Sequence, residues 1–160
     1  DLFRGRLPGY LGCDTVYHDI QHTLDMTLAM GRLIEGHELS VSGDERLGAP
    51  RAILGIICSL FHDSGYIRHA RDEAHVNGAE FTRSHVTRSA QFLDRYLHDV
   101  GLGATAHIAR QVVHYTGYEV RIDGHFLMAS HGAHSAQAMA ALARDLSSSG
   151  SSSMALMSLK

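Results

Sequence analysis

The chain of 160 residues has no tryptophan, two prolines and two cysteines. Two thiols, Cys13 and Cys58, are too few for a secreted disulfide framework, and a reducing, cytoplasmic compartment is the expectation. A surplus of positive charge is also missing. Lys and Arg number 14 against 17 Asp and Glu, for a formal charge of −3. Nothing basic therefore argues for nucleic acid or an anionic membrane as partner. No apolar run reaches membrane-spanning length and no signal peptide is recognisable. Charged residues make up only 19% against 44% hydrophobic, which excludes an intrinsically disordered chain. The length suits one domain with a core large enough to need no covalent staple. A first residue of Asp rather than Met suggests a piece excised from something longer. Histidine, by contrast, is abundant: thirteen, nearly as many as Lys and Arg together. It is the commonest metal ligand and the usual proton shuttle near neutral pH.

Alternating apolar and polar runs are scarce, and helical spacing dominates. Residues 1–16 carry Gly5, Pro8, Gly9 and Gly12 and read as irregular. From His18 to Glu35, the positions Ile20, Leu24, Leu28 and Leu33 keep helical spacing, with Gly36 as the stop. Residues 37–49 read as a loop. Pro50 suits the first turn of a second helix, whose Ile53-to-Phe61 stretch is apolar nearly all round and so expected to be central. Residues 67–76 read as a polar, basic surface loop. Asn77 with Glu80 resembles a capping box opening a third helix, with Ala79, Thr82, Val86, Ala90 (or Ser89), Leu93 and Leu97 inward and Gly101 and Gly103 at its end. A fourth helix is expected over Ala104–Tyr115, a short extended piece over 118–126, and an alanine-rich helix over Ala133–Leu146. Residues 147–160 begin with a Ser/Gly run that reads as a flexible linker.

His18 and His22, four apart at the start of the expected first helix, would share one face, with Cβ atoms about 5–6 Å apart. Such a pair ligates a metal, supplies one ligand and one proton donor, or is simply solvated. His62-Asp63 is more informative, because two vicinal polar side chains at the end of the most apolar helix are costly to bury unsatisfied. Both reach one ion most easily where the helix ends, and Gly65 supplies that end. A C-capping histidine beside an exposed aspartate is the bland alternative. The competing structural reading of His85 is a polar position on an amphipathic helix, and that of His114 a partner of a helix C-terminus. Cys58 reads as a small core residue.

Tyr17-His18-Asp19-Ile20-Gln21-His22, then His62-Asp63, then a downstream aspartate resembles the HD superfamily of metal-dependent phosphohydrolases. The His-Asp-x-x-His form is similar in particular to cyclic nucleotide phosphodiesterase catalytic domains, and the HDSGY segment to HD-GYP and other small HD proteins. The likeness covers roughly residues 16–146. It implies an all-α, single-domain HD-type helical bundle over 17–146 with a metal site between helices. It makes His22, His62 and Asp63 ligands of a first divalent ion, with Asp145 as the fourth ligand and Asp123 as its competitor. It makes Asp63 a bridge to a second ion held by His85 and His114, and His18 the proton donor to the leaving oxygen. Asp19 departs from the asparagine common in phosphodiesterases, and a purine-clamping glutamine is not recognisable.

The expected function is hydrolysis of a small-molecule phosphate ester, a phosphodiester or nucleotide, by a metal-activated water. Two cations neutralise charge on the attacking and leaving oxygens, and a histidine one turn from a ligand protonates the departing alkoxide. Mixed imidazole and carboxylate donors suit Fe, Mn, Zn or Ni better than Mg. Arg68 and Arg71, just after the His-Asp pair, are candidates for contacting phosphate or for a solvated loop. Two rivals remain: a di-iron oxygenase on the same ligand set, and a non-catalytic HD-like binding or signalling module.

Overall fold

A computed structural model describes residues 1–117, and among them the fold is helical with no strand. Four helices carry it: α1 (Ile20–Ser40), α2 (Gly48–Phe61), α3 (His85–Asp99) and α4 (Ala106–His114). Residues 1–19 are turns, with isolated bridges Arg4–Gly12 and Tyr10–His69. The expected extended piece at 118–126 and helix at 133–146 lie outside the described residues, as do Asp123 and Asp145.

The helix ends correct several sequence expectations. α1 begins at Ile20 because Asp19, extended at φ −98°, accepts the amide of His22 on its side chain, the usual N-cap arrangement. His18 therefore lies ahead of the helix and not on its face. Gly36 does not stop α1, which runs to Ser40, where Val41 N–H donates to the His37 carbonyl. Pro50 does sit in the first turn of α2. The third helix begins at His85 rather than near Asn77. Asn77 instead caps a separate 3-10 turn (Gly78–Phe81), and Glu80 turns back to accept the amide of Val76. α3 ends in a Schellman motif, with Leu102 N–H donating to Leu97 and Gly101 N–H to His98. Gly101 takes the left-handed φ of 78° that this closure requires.

The core lies between α2, α3 and α4, with α1 added against α2. Val86, Ala90, Leu93 and Leu97 of α3 meet Ala106, Ala109, Val112 and Val113 of α4, with Leu54 and Cys58 of α2. Gly55 lets α1 approach: Ile34 Cδ1 lies 3.3 Å, and Met30 Sδ 3.8 Å, from where a Cβ would stand. Two expected buried faces differ from observation. On α1, Thr23 and Met30 are inward, while Leu24 (49% exposed) and Leu28 (54%) of the anticipated stripe face outward among the described residues. On α2, Ile53 and Leu60 are exposed, so among the described residues no element covers that side of the helix.

Candidate metal centre

Asp63 follows α2 directly, leading into a 3-10 turn (Ser64–Tyr66) that brings the chain against the start of α3. The approach is close enough to dictate residue type: a Cβ on Gly65 would collide with the backbone carbonyl of His85. Gly65 N–H donates to Ser89 Oγ at 2.8 Å. Arg88 donates from Nε to the Gly65 carbonyl (2.7 Å) and from Nη2 to the Ile67 carbonyl (2.9 Å), with its guanidinium over the Phe81 ring. Every link across this corner is thus satisfied, as a buried polar junction must be.

The Asp63 side chain is only 3% exposed and is ringed by imidazoles. Its Oδ2 lies 2.8 Å from His18 Nδ1, 3.3 Å from His22 Nε2 and 3.2 Å from His62 Nε2. Its Oδ1 lies 3.9 Å from His85 Nε2. Burial alone would raise the Asp63 pKa, but the hydrogen bonds from His18, His22 and His62 and the His62 charge hold it far below the usual carboxylate range. Its ionised form is strongly favoured. Burial pulls His62 down, yet its hydrogen bond and charge attraction to Asp63 and its bond to the Ser59 carbonyl leave its pKa raised. His85 is lowered, chiefly by desolvation.

Ring orientation decides what these groups can do. His62 Nδ1 lies 2.7 Å from the Ser59 carbonyl, and His85 Nδ1 2.8 Å from that of Thr82. A carbonyl only accepts, so both Nδ1 atoms carry the proton. In each neutral ring the Nε2 lone pair then faces the Asp63 carboxylate. Lone pair against anion is repulsive unless a cation, either a proton or a metal ion, lies between them. Backbone carbonyls that take Nδ1–H and leave Nε2 to ligate are the common outer shell of metal-bound histidine. His18, His22 and Asp63 form a group whose ligand atoms all lie within 4.8 Å of one another.

Of the residues expected from sequence, His18, His22, His62, Asp63 and His85 are brought together. His114 is the last residue of α4 and half-buried. Arg68 is engaged elsewhere: it pairs with Asp14 at 2.8 Å and donates to the His75 carbonyl, strapping the N-terminal segment to the loop after the site. Arg71 is exposed. Sequence reading missed two aromatic neighbours. Tyr17 packs on His22 with ring centroids 4.7 Å apart. Tyr66 stacks on both His18 and His85. Tyr66 stands in the HDSGY segment, yet nothing in its spacing distinguishes a site neighbour from an ordinary core aromatic.

Comparison with protein-family models, with curated proteins and with solved structures returns no match for this chain. Among the described residues, no helix is long and apolar enough to cross a membrane.

Proposed function

We propose that the chain is an HD-type metallophosphohydrolase that cleaves a phosphate ester, a phosphodiester or nucleotide, at the cluster around Asp63. The observation that carries this reading is the pair of Nε2 atoms, on His62 and His85, turned toward one buried carboxylate by backbone acceptors on their far sides. The donor set fits a divalent transition ion: imidazoles gathered around a carboxylate, the mixture that Fe, Mn, Zn or Ni accepts. His22, His62 and Asp63 would hold the first ion, and Asp63 with His85 and His114 the second. Bound metal would supply Lewis acidity and a hydroxide nucleophile near neutral pH.

The remaining roles fall to the chain itself. Asp63, whose ionised form its histidine partners favour, keeps the cluster electrostatically matched to cations. His18 uses Nδ1 on Asp63, so its Nε2 is the atom left to give a proton to a departing alkoxide. Arg71, exposed beyond the site, is a candidate for phosphate contact, whereas Arg68 would first have to leave Asp14.

Metal analysis of the purified protein, paired with hydrolysis of bis(4-nitrophenyl) phosphate under added Mn²⁺, tests the reading. We expect at least one ion per chain, and loss of both metal and turnover in His62→Ala. Metal far below one per chain with no turnover, unchanged by that substitution, would sink the enzyme reading. Oxygen consumption by a reduced iron form would instead promote the oxygenase. Acidification should release metal, because Asp63 favours a proton on His62 and the proton and metal compete for the same Nε2. Metal content measured across a pH series checks this, and affinity that rises as pH falls would contradict it.

A further inference from the structure

We infer that Tyr66 is a positioning residue: its ring is the common stacking partner that fixes the planes of His18 and His85 together, and so ties the proton donor to the second-metal ligand. The inference rests on the proposed function for what those imidazoles do, but its geometry stands alone. The Tyr66 centroid lies 4.4 Å from that of His18 at 21° and 4.3 Å from that of His85 at 17°. The two imidazole centroids are themselves 6.1 Å apart. With these distances, the two directions from the phenol meet at nearly a right angle, so one ring is in stacking contact with both histidines at once.

The stacking ring is itself fixed. Tyr66 is buried, and its neighbours on both sides are clamped by Arg88 through the carbonyls of Gly65 and Ile67. Its own N–H donates to the Asp63 carbonyl at 3.1 Å. Its carbonyl abuts Gly78, where a Cβ would clash with it. Thr82, whose carbonyl also holds His85 Nδ1, neighbours the phenol.

The two histidines need this support unequally. His85 has a backbone acceptor to set its ring, whereas His18 precedes α1 and has only Asp63 on its Nδ1. Flat stacking against an immobile ring restricts the remaining rotation of His18 about χ2. A proton donor must sit within hydrogen-bond reach of the leaving oxygen, and a displacement of about 1 Å can cost up to about a hundredfold in rate. The hydroxyl of Tyr66 is not required for this role, but the aromatic face is.

Histidine ring NMR of the metal-free protein, with His18→Gln and His85→Gln to assign the signals, tests the stack directly. Ring-current shielding by Tyr66 should move the His18 and His85 ring-carbon protons upfield relative to exposed histidines such as His107. Tyr66→Phe should keep those shifts and the visible spectrum of bound Co²⁺. Tyr66→Leu should abolish the shifts, alter the Co²⁺ spectrum and lower kcat on bis(4-nitrophenyl) phosphate roughly ten- to a hundredfold with little change in KM. Unshifted His18 and His85 signals in the wild type would overturn the inference without any variant, so a misfolded Tyr66→Leu does not leave it undecided. The same holds if Tyr66→Leu folds and matches the wild type in shifts and Co²⁺ spectrum. Wild-type protein that takes up no Co²⁺ would defeat the metal reading while the ring shifts still decide the stack.

Discussion

α1 and α3 both deliver histidines to one aspartate, yet they are anchored in opposite ways. α3 packs on α4, on α2 and on the turn after Asp63, and Leu93 and Leu97 are wholly buried. Among the described residues, α1 packs chiefly on α2 and turns Ile20, Leu24, Leu28 and Leu33 outward. The difference shows that an amphipathic stripe reports a face that can be buried, and that the number of neighbouring elements decides whether it is. It also divides the site. His85 stands on a rigid junction, whereas His18 and His22 sit at a helix start held by one capping aspartate and by contacts to Asp63, Tyr17 and Tyr66.

Changes at the α3 side should therefore cost most. Gly65→Ala forces a methyl onto the His85 backbone, which cannot give way as a flexible side chain would. We expect a loss of about 4 kcal/mol or failure to accumulate as folded protein, since overpacking against backbone belongs to the severe class of substitutions. Leu93→Ala should follow at about 2–5 kcal/mol, from lost transfer energy and the cavity left behind. Chemical denaturation measures both. Gly65→Ala within about 1 kcal/mol of wild type would show that the corner has slack the geometry does not display.

How far the sequence spoke for the fold follows the same division. The α3 stripe was legible because it buries against several elements at once: Val86, Ala90, Leu93 and Leu97 all end inside. The His-Asp pair was legible as a costly polar step at the end of an apolar helix, and so was Pro50 in its first turn. The start of α3 was not. Asn77 and Glu80 carry the residue types of a capping box but satisfy a 3-10 turn and the amide of Val76, so the local signal was real and its scope was not. The placing of His18 was misread for a related reason. Spacing of four puts two residues on one helical face only if both are in the helix, and Asp19 ends it first. Tyr66 was illegible because stacking on two histidines from distant segments is a tertiary fact with no period in the chain.

Two smaller substitutions sharpen the contrast on the α1 side. Asp19→Ala removes the acceptor for the His22 amide, and about 1 kcal/mol of stability should go with it. The specific readout is metal uptake. Fraying of the first turn of α1 should loosen His22 and weaken binding, while Asp19→Asn, which keeps a side-chain oxygen, should restore much of both. Equal metal affinity in wild type and Asp19→Ala would mean that His22 is held by its ring contacts alone.

The smallest expected effect is the most discriminating. Leu24 is about half exposed among the described residues, so Leu24→Ala should cost under about 1 kcal/mol, a fraction of what Leu93→Ala costs on α3. Denaturant midpoints for the two variants, measured side by side, test the contrast between the helices. Near-equal losses would break it, because a leucine in water has little apolar burial to lose. The outward row Ile20, Leu24 and Leu28 would then be covered in the folded chain. A loss at Leu24 that grows with protein concentration would assign the cover to a second copy, through the mass-action dependence of associating systems. A loss independent of concentration would assign it to the chain itself.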